Sequence, residues 1–338
     1  MANFRQFLPH LLVLLGFVII SLIYFHPVLQ GKTIFQSDIA QYTGMAKEQN
    51  DYRAQTGQEP YWTDAAFGGM PTYQLGAYYP HNYIKKLDSA LRFLPRPADY
   101  LFLYFIGFYI LMLSLRLDYR LAFLGALAFG FSTYLIIILG VGHNAKAHAI
   151  AYMPMVLAGI ILCFRQKFLF GFLLLAVAMA LEIGANHFQM TYYLLLLVVV
   201  LGIAYLIDAF RKNKIPQYFK ALGVMVLAVV LAVGANATNL LATQEYAEFS
   251  TRGKSELTIN PDGSPKTGSG LDYAYITEYI YGIKETFNLF IPRFMGGSNA
   301  ENLGTDAHIY DAIIQLGASP QQAAEFSKNA PTYWGDQP

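Results

Sequence analysis

Apolar residues in this chain come in runs too long for the helices of a water-soluble core. Phe7–Phe25 is almost unbroken (FLPHLLVLLGFVIISLIYF). Further runs cover Tyr100–Leu115, Leu121–Val141, Ala149–Phe164, Phe168–Gly184 and Met190–Ile207, and a seventh opens at Lys220 and ends at Val233 or Leu241. A helix needs about 17–25 predominantly apolar residues to cross the hydrocarbon layer, so each run predicts a membrane span, several of them near the lower limit. The residues after the first run, His26-Pro-Val-Leu-Gln30, offer no small-residue cleavage site, so that run predicts an uncleaved signal anchor.

The polar stretches between the runs are unequal. The longest, 27–98, is rich in Gly, Tyr and acidic residues through Pro80, and it separates the first two spans. The short connections then alternate in charge. One side holds Arg116, Arg120, Arg165, Lys167, Arg211, Lys212, Lys214 and Lys220, while the other holds Lys146 alone. Basic residues concentrate on the cytoplasmic side of membrane proteins, which predicts a cytoplasmic N-terminus. The 27–98 loop, the 142–148 turn (GHNAKAH), the 185–189 turn (ANHFQ) and the tail from about 242 then share the extracytoplasmic face.

This pattern predicts an all-α polytopic membrane protein: a bundle of about seven helices over 1–241 and an extracytoplasmic segment over 242–338. In that segment, Thr243–Phe249 extends the last helix or forms an amphipathic one, and Asn260-Pro-Asp-Gly-Ser-Pro265 is turn chemistry. Tyr273–Phe294 is apolar and aromatic, with a helical reading. Ser319-Pro320 ahead of Gln321-Gln-Ala-Ala324 predicts a helix start, with Ser at the cap and Pro in the first turn.

Composition adds exclusions. Of 338 residues, 55% are hydrophobic and 13% charged, against roughly 25% charged in soluble domains. A net charge of +1 gives no electrostatic basis for binding nucleic acid. The single cysteine, Cys163, permits neither an intrachain disulfide nor a cysteine-rich zinc site.

Several polar groups on the outer face are candidates for chemistry. Asp38 follows the β-prone Thr33-Ile-Phe35 as the chain leaves the first span. A carboxylate there can serve as a general base or as a ligand to a hard cation, and equally can be an ordinary solvated aspartate like Asp51 or Asp64. His143, Lys146 and His148 sit in a turn between spans. Lys146 breaks the charge bias, which suits a phosphate or pyrophosphate anion, although interfacial anchoring explains it as well. Glu182 lies inside the fifth apolar run, where an acidic side chain costs about 2.5–3.5 kcal/mol on insertion scales. It therefore faces a polar cavity or a partner such as His187, His143 or Lys146. Arg252, with Lys254 on a glycine turn, is a further phosphate candidate.

Taken together these segments resemble the YfhO-like family of bacterial membrane proteins, in the form seen in Bacteroidetes, within the GT-C superfamily of membrane glycosyltransferases. The resemblance runs through Gln36-Ser-Asp38, Gly44–Glu48, Trp62-Thr63, Phe67–Gln74, Gly142-His143 with Lys146, and Ala185–Tyr193. It continues through Thr251–Gly253, Ser255–Thr258 and Tyr333–Pro338, with Tyr279 and Ile280 standing where the family outline has Trp and Ser.

The resemblance implies a GT-C-like helix bundle in the bacterial inner membrane, with Asp38 as catalytic base or metal-associated carboxylate. It leaves open a divalent cation near Asp38. The donor would be a sugar on a polyprenyl phosphate, and the acceptor an envelope glycan or lipid. His143, Lys146, His187, Glu182 and Arg252 would line the substrate site, with Lys146 and Arg252 toward the donor phosphate. It also implies that the chain is the N-terminal part of a longer one. A transporter or flippase of a lipid-linked substrate and a non-enzymatic envelope scaffold are the alternatives.

Overall fold

A computed structural model describes residues 4–250, 259, 263, 273, 277, 282–297 and 300–332. The chain divides into two compact units, Met1–Asn239 and Leu240–Pro338.

The first unit is helical apart from one short ribbon. Its long apolar helices are α1 (Phe4–Tyr24), α8 (Asn144–Phe164), α10 (Phe188–Arg211) and α11 (Ile215–Ala235). These four are long and apolar enough to cross a membrane, and a bent pair, α6 (Tyr119–Gly130) with α7 (Thr133–Val141), makes a fifth. Two shorter apolar helices, α5 (Ala98–Ser114) and α9 (Phe168–Gly184), have 17 residues each. The chain thus has the character of a multi-pass membrane protein.

The boundaries depart from the apolar runs in informative places. Leu121–Val141 reads as one span but is broken, with a bend of 48° between α6 and α7. Phe131 and Ser132 leave the helical conformation there, and Ser132 is extended at the cap of α7. Serine favours a cap over a helix interior because its hydroxyl competes for backbone groups. Helix α8 begins five residues before its apolar run, because Asn144-Ala-Lys-Ala-His148 is helical despite its polarity. Helix α11 starts at Ile215 with Pro216 in its first turn and ends at Ala235, ahead of a separate helix α12 (Ala237–Ala247).

Helix α8 is the centre of the bundle: α5 lies on one side of it and α9 on the other. Where α8 meets α9 the backbones come very close. A Cβ on Gly171 would fall 2.6 Å from the Cys163 sulfur, and one on Gly159 would fall 2.7 Å from the backbone of Leu175. Small residues at such crossings allow dense van der Waals packing, the main cohesive force where lipid removes the hydrophobic drive between helices. Helix α1 packs against this centre through Phe17, whose ring stacks between Phe105 and Phe123 at 5.2 Å from each.

The 27–98 segment is folded rather than a simple polar linker. A 3₁₀ turn (His26–Gln30), α2 (Ser37–Met45), α3 (Lys47–Thr56), an antiparallel ribbon of β1 (Trp62–Thr63) with β2 (Met70–Pro71), and α4 (Tyr83–Leu91) follow in order. Thr33–Phe35 forms no strand. Polar side chains, Gln49 and Thr72 among them buried, tie the pieces together. Gln49 Nε2 and Tyr42 OH both donate to the Leu75 carbonyl, at 2.6 and 3.1 Å, and Thr72 Oγ1 donates to the Pro60 carbonyl at 2.7 Å.

In the second unit, a helix over Pro320–Lys328 starts where Ser-Pro predicts it. Ser319 Oγ accepts from the Gln322 amide, and Gln322 Oε1 accepts from the Ser319 amide at 2.9 Å, a complete capping box. A second helix covers His308–Gln315 and a 3₁₀ segment covers Ile283–Leu289. Arg252, the Asn260–Pro265 turn apart from Gly263, Tyr279, Ile280 and the terminal Tyr333–Pro338 lie outside the described residues.

Candidate functional site

The site is built on the first turn of α2 and the first turn of α8. Gln36, at the cap of α2, is buried. Its Nε2 donates to the Leu139 carbonyl at 2.8 Å, and its Oε1 accepts from Asn144 Nδ2 at 3.2 Å. These bonds fasten the start of α2 to the α7–α8 junction. The junction turns at Gly142, where φ is +109°, and a Cβ there would lie 2.9 Å from Gln36 Cβ. Both the conformation and the close approach demand glycine.

This fastening places Asp38, in the first turn of α2, beside His143, the cap residue of α8. Asp38 Oδ2 lies 3.9 Å from His143 Nδ1, with the Asp38 side chain 60% exposed. Asp38 is therefore reachable from solvent and lies beside a half-buried imidazole. The two side chains supply one carboxylate and one imidazole, and among the described residues no group of three or more His, Cys, Asp or Glu converges as a metal site would require.

Lys146 stands in the first turn of α8, not in an open turn, and half-buried. Its field reaches His187, the cap of α10, whose pKa is lowered first by burial and then by the Lys146 charge. His187 Nδ1 is buried and has no hydrogen-bond partner among the described residues. The structure thus relates Asp38 to His143, and Lys146 to His187, at the adjacent helix starts of α2, α8 and α10. Glu182 is fully buried in α9 and both its oxygens accept from Thr191 Oγ1, at 3.0 and 3.1 Å. The hydroxyl of α10, rather than His187, His143 or Lys146, is its hydrogen-bond partner among the described residues.

A second cluster, centred on Asp88 of α4, was not singled out from the sequence. Asp88 Oδ2 accepts from Arg92 Nε and Nη2 at 3.0 and 2.9 Å. Its Oδ1 accepts from Tyr152 OH at 2.7 Å and meets His148 Nε2 in a short hydrogen bond. Arg92 Nη1 also reaches Asp99 Oδ2 at 3.3 Å, and the guanidinium groups of Arg92 and Arg96 each lie 5.5 Å from the Tyr100 ring. Burial raises the Asp88 pKa, but the bonds and charges of His148 and Arg92 outweigh it and bring the carboxyl down to about 2.

The two clusters share a helix. Asn144, His148 and Tyr152 recur every fourth residue along α8 and so form one stripe, because side chains at i and i+4 stack on a helix face. The first holds Gln36 and the other two hold Asp88, so the 27–98 segment is bound to α8 by a single polar row.

No protein-family model, no curated protein and no solved structure matches this chain.

Proposed function

We propose that the chain is a membrane glycosyltransferase that moves a sugar from a polyprenyl-phosphate donor to an envelope acceptor, with Asp38 as the base. The supporting observation is the pairing of an exposed Asp38 carboxylate with His143 at the start of the same helix that carries Lys146. On this reading the basic asymmetry of the short loops puts these groups on the extracytoplasmic face. Helices α5 and α9, each about 25 Å long at 1.5 Å per residue, complete seven spans with the five longer ones. The architecture is GT-C-like, as the resemblance to the YfhO-like family implies.

In the reaction, Asp38 takes the proton of an acceptor hydroxyl as that oxygen attacks the anomeric carbon. The bond from the anomeric carbon to the phosphate oxygen breaks, and polyprenyl phosphate departs with the bonding electrons. His143 keeps the carboxylate oriented, while Lys146, at the positive end of α8, balances the departing phosphate.

The test is sugar release from radiolabelled polyprenyl-phosphate donors in membranes carrying the wild-type chain or Asp38→Asn, with and without a divalent cation. Loss of a general base costs typically about 10²–10⁴-fold in rate. Turnover in the wild type that falls by that factor in a folded Asp38→Asn supports the reading, and undiminished turnover in the variant removes Asp38 from the mechanism.

The bent α6–α7 pair favours one other reading, a transporter or flippase of a lipid-linked substrate. Discontinuous helices form the substrate sites of many transporters. Donor-independent exchange of lipid between leaflets in reconstituted vesicles would favour it over transfer chemistry.

A further inference from the structure

A cavity opens beside the 27–98 segment, where that segment meets the end of α11. It has a volume of about 410 Å³ and is lined by Tyr61, Tyr79, His81, Asn82, Asn236 and Asn239, with Pro80, Ala235 and Thr238 completing it. That volume falls within the range of about 300–1,000 Å³ typical of small-molecule sites. Its chemistry is distinctive for what surrounds it. The loop is rich in formal charge, yet the lining carries no Asp, Glu, Lys or Arg. It combines aromatic faces, amides, hydroxyls and the His81 imidazole.

The aromatic part is ordered. The Tyr61 and Tyr79 rings are stacked, with centroids 5.8 Å apart and planes 21° from parallel. Tyr61 is exposed while Tyr79 is half-buried, so the pair offers a supported ring rather than two loose ones. The amide part is equally constrained. Asn236 is 5% exposed, and its Nδ2 donates to the carbonyls of Ala180 at 2.9 Å and Ala232 at 3.0 Å. Both donor bonds anchor the side chain, and its Oδ1 receives no donor from any described residue. Asn82 holds the cap of α4 by accepting from the Lys85 amide at 2.9 Å, which leaves its amide nitrogen as a donor.

We propose that this cavity binds a neutral sugar unit, and that it is the acceptor-glycan subsite of the transferase reading on which that assignment of role rests. A pyranose presents a patch of C–H bonds on one face and a rim of hydroxyls that both donate and accept. Stacked phenol rings match the first, and fixed amide oxygens and nitrogens match the second. An anionic ligand would find no Lys or Arg in the lining, and a purely apolar chain would bury the Asn236 oxygen without a donor, an unfavourable exchange.

The experiment uses the full chain in nanodiscs, titrated by calorimetry with cellotetraose, maltotetraose and chitotetraose, and with tetragalacturonate as the charged counterpart. The expected result is saturable binding of at least one neutral tetrasaccharide in preference to tetragalacturonate. Tyr61→Ala and Tyr79→Leu should each weaken it by about threefold to tenfold, and Tyr79→Phe should largely retain it. Folding is checked through the reactivity of the buried Cys163 thiol. No binding of any neutral tetrasaccharide, equal binding of tetragalacturonate, or binding indifferent to Tyr61→Ala with Tyr79→Leu would overturn the proposal. Asp38→Asn separates the two claims: sugar binding with no transfer activity in any form sustains the subsite and sinks the transferase. Activity without binding does the reverse.

Discussion

Replacing Asp88 with asparagine probes the polar row that binds the 27–98 segment to α8. The substitution keeps the shape of the side chain and removes its charge from a position only 7% exposed. The carboxyl lies at about 2, against 3.8 for an unperturbed aspartate. At about 1.36 kcal/mol per pKa unit, the ionised form is therefore favoured in the fold by about 2–3 kcal/mol. The variant also leaves Arg92 without its principal partner, and removing one member of a buried pair costs about 3–5 kcal/mol. Arg92 keeps Asp99 at 3.3 Å, which places the expected loss near the lower end, about 3 kcal/mol.

For a unit of this size, that corresponds to a fall in Tm of roughly 6–12 °C. Cys163 supplies the assay, since it is the only cysteine and is fully buried, so a thiol-reactive dye reports unfolding directly. The pH dependence follows from the depressed pKa. The Asp88 contribution is complete above about pH 4 and is lost as the pH falls toward about 2, and the wild type should show that loss while Asp88→Asn should not. A Tm change under about 2 °C at pH 7 would refute the argument that this row anchors the segment.

Two further substitutions test the site itself. Gly142→Ala should cost about 3 kcal/mol or more, because the new Cβ meets Gln36 and the backbone sits at a positive φ. By displacing Gln36 it should also lower any transfer activity, whereas Gly140→Ala, with open space around it, serves as the control. Lys146→Gln should move the His187 pKa upward toward 6.5 without reaching it, since burial remains, and an imidazole NMR titration reads this directly. In the wild type the depressed His187 pKa makes stability decline as pH falls below about 6.5, and that decline should be shallower in Lys146→Gln.

The apolar runs made the membrane character of the chain legible, because uninterrupted hydrophobicity has one physical use at that length. The break at Phe131-Ser132 was not singled out, although the hydropathy dips over Gly130-Phe-Ser-Thr-Tyr134, because the dip is short and both flanks are strongly apolar. Asp38, Lys146 and His187 could be picked out as polar groups at helix ends, and the structure sets each at a helix start. Their relations to one another depended on Gln36 and Gly142, whose roles come from contacts more than a hundred residues apart in the chain. The Asp88 cluster escaped because its aspartate looked like any loop carboxylate. The signals were present in the spacing of Asp88 with Arg92 and of Asn144 with His148 and Tyr152, each four residues apart. Glu182 was recognisable as needing a partner, but a hydroxyl nine residues later across a helix junction carries no pattern in sequence.

The polar row on α8 also dictates an order of assembly. During synthesis Asp88 precedes His148 by 60 residues and Tyr152 by 64, and Gln36 precedes Leu139 by 103. The 27–98 segment must therefore wait for its α8 partners while α5, α6 and α7 are made. In that interval Asp88 and Arg92 have each other, one turn apart on α4, and Arg92 has Asp99 of α5, but the α8 side of the row is missing. Insertion of α8 supplies Asn144, His148 and Tyr152 in one stroke. The 27–98 segment and the bundle thus close together as a late event, and a ribosome-stalled chain ending before residue 144 should leave the segment open to protease.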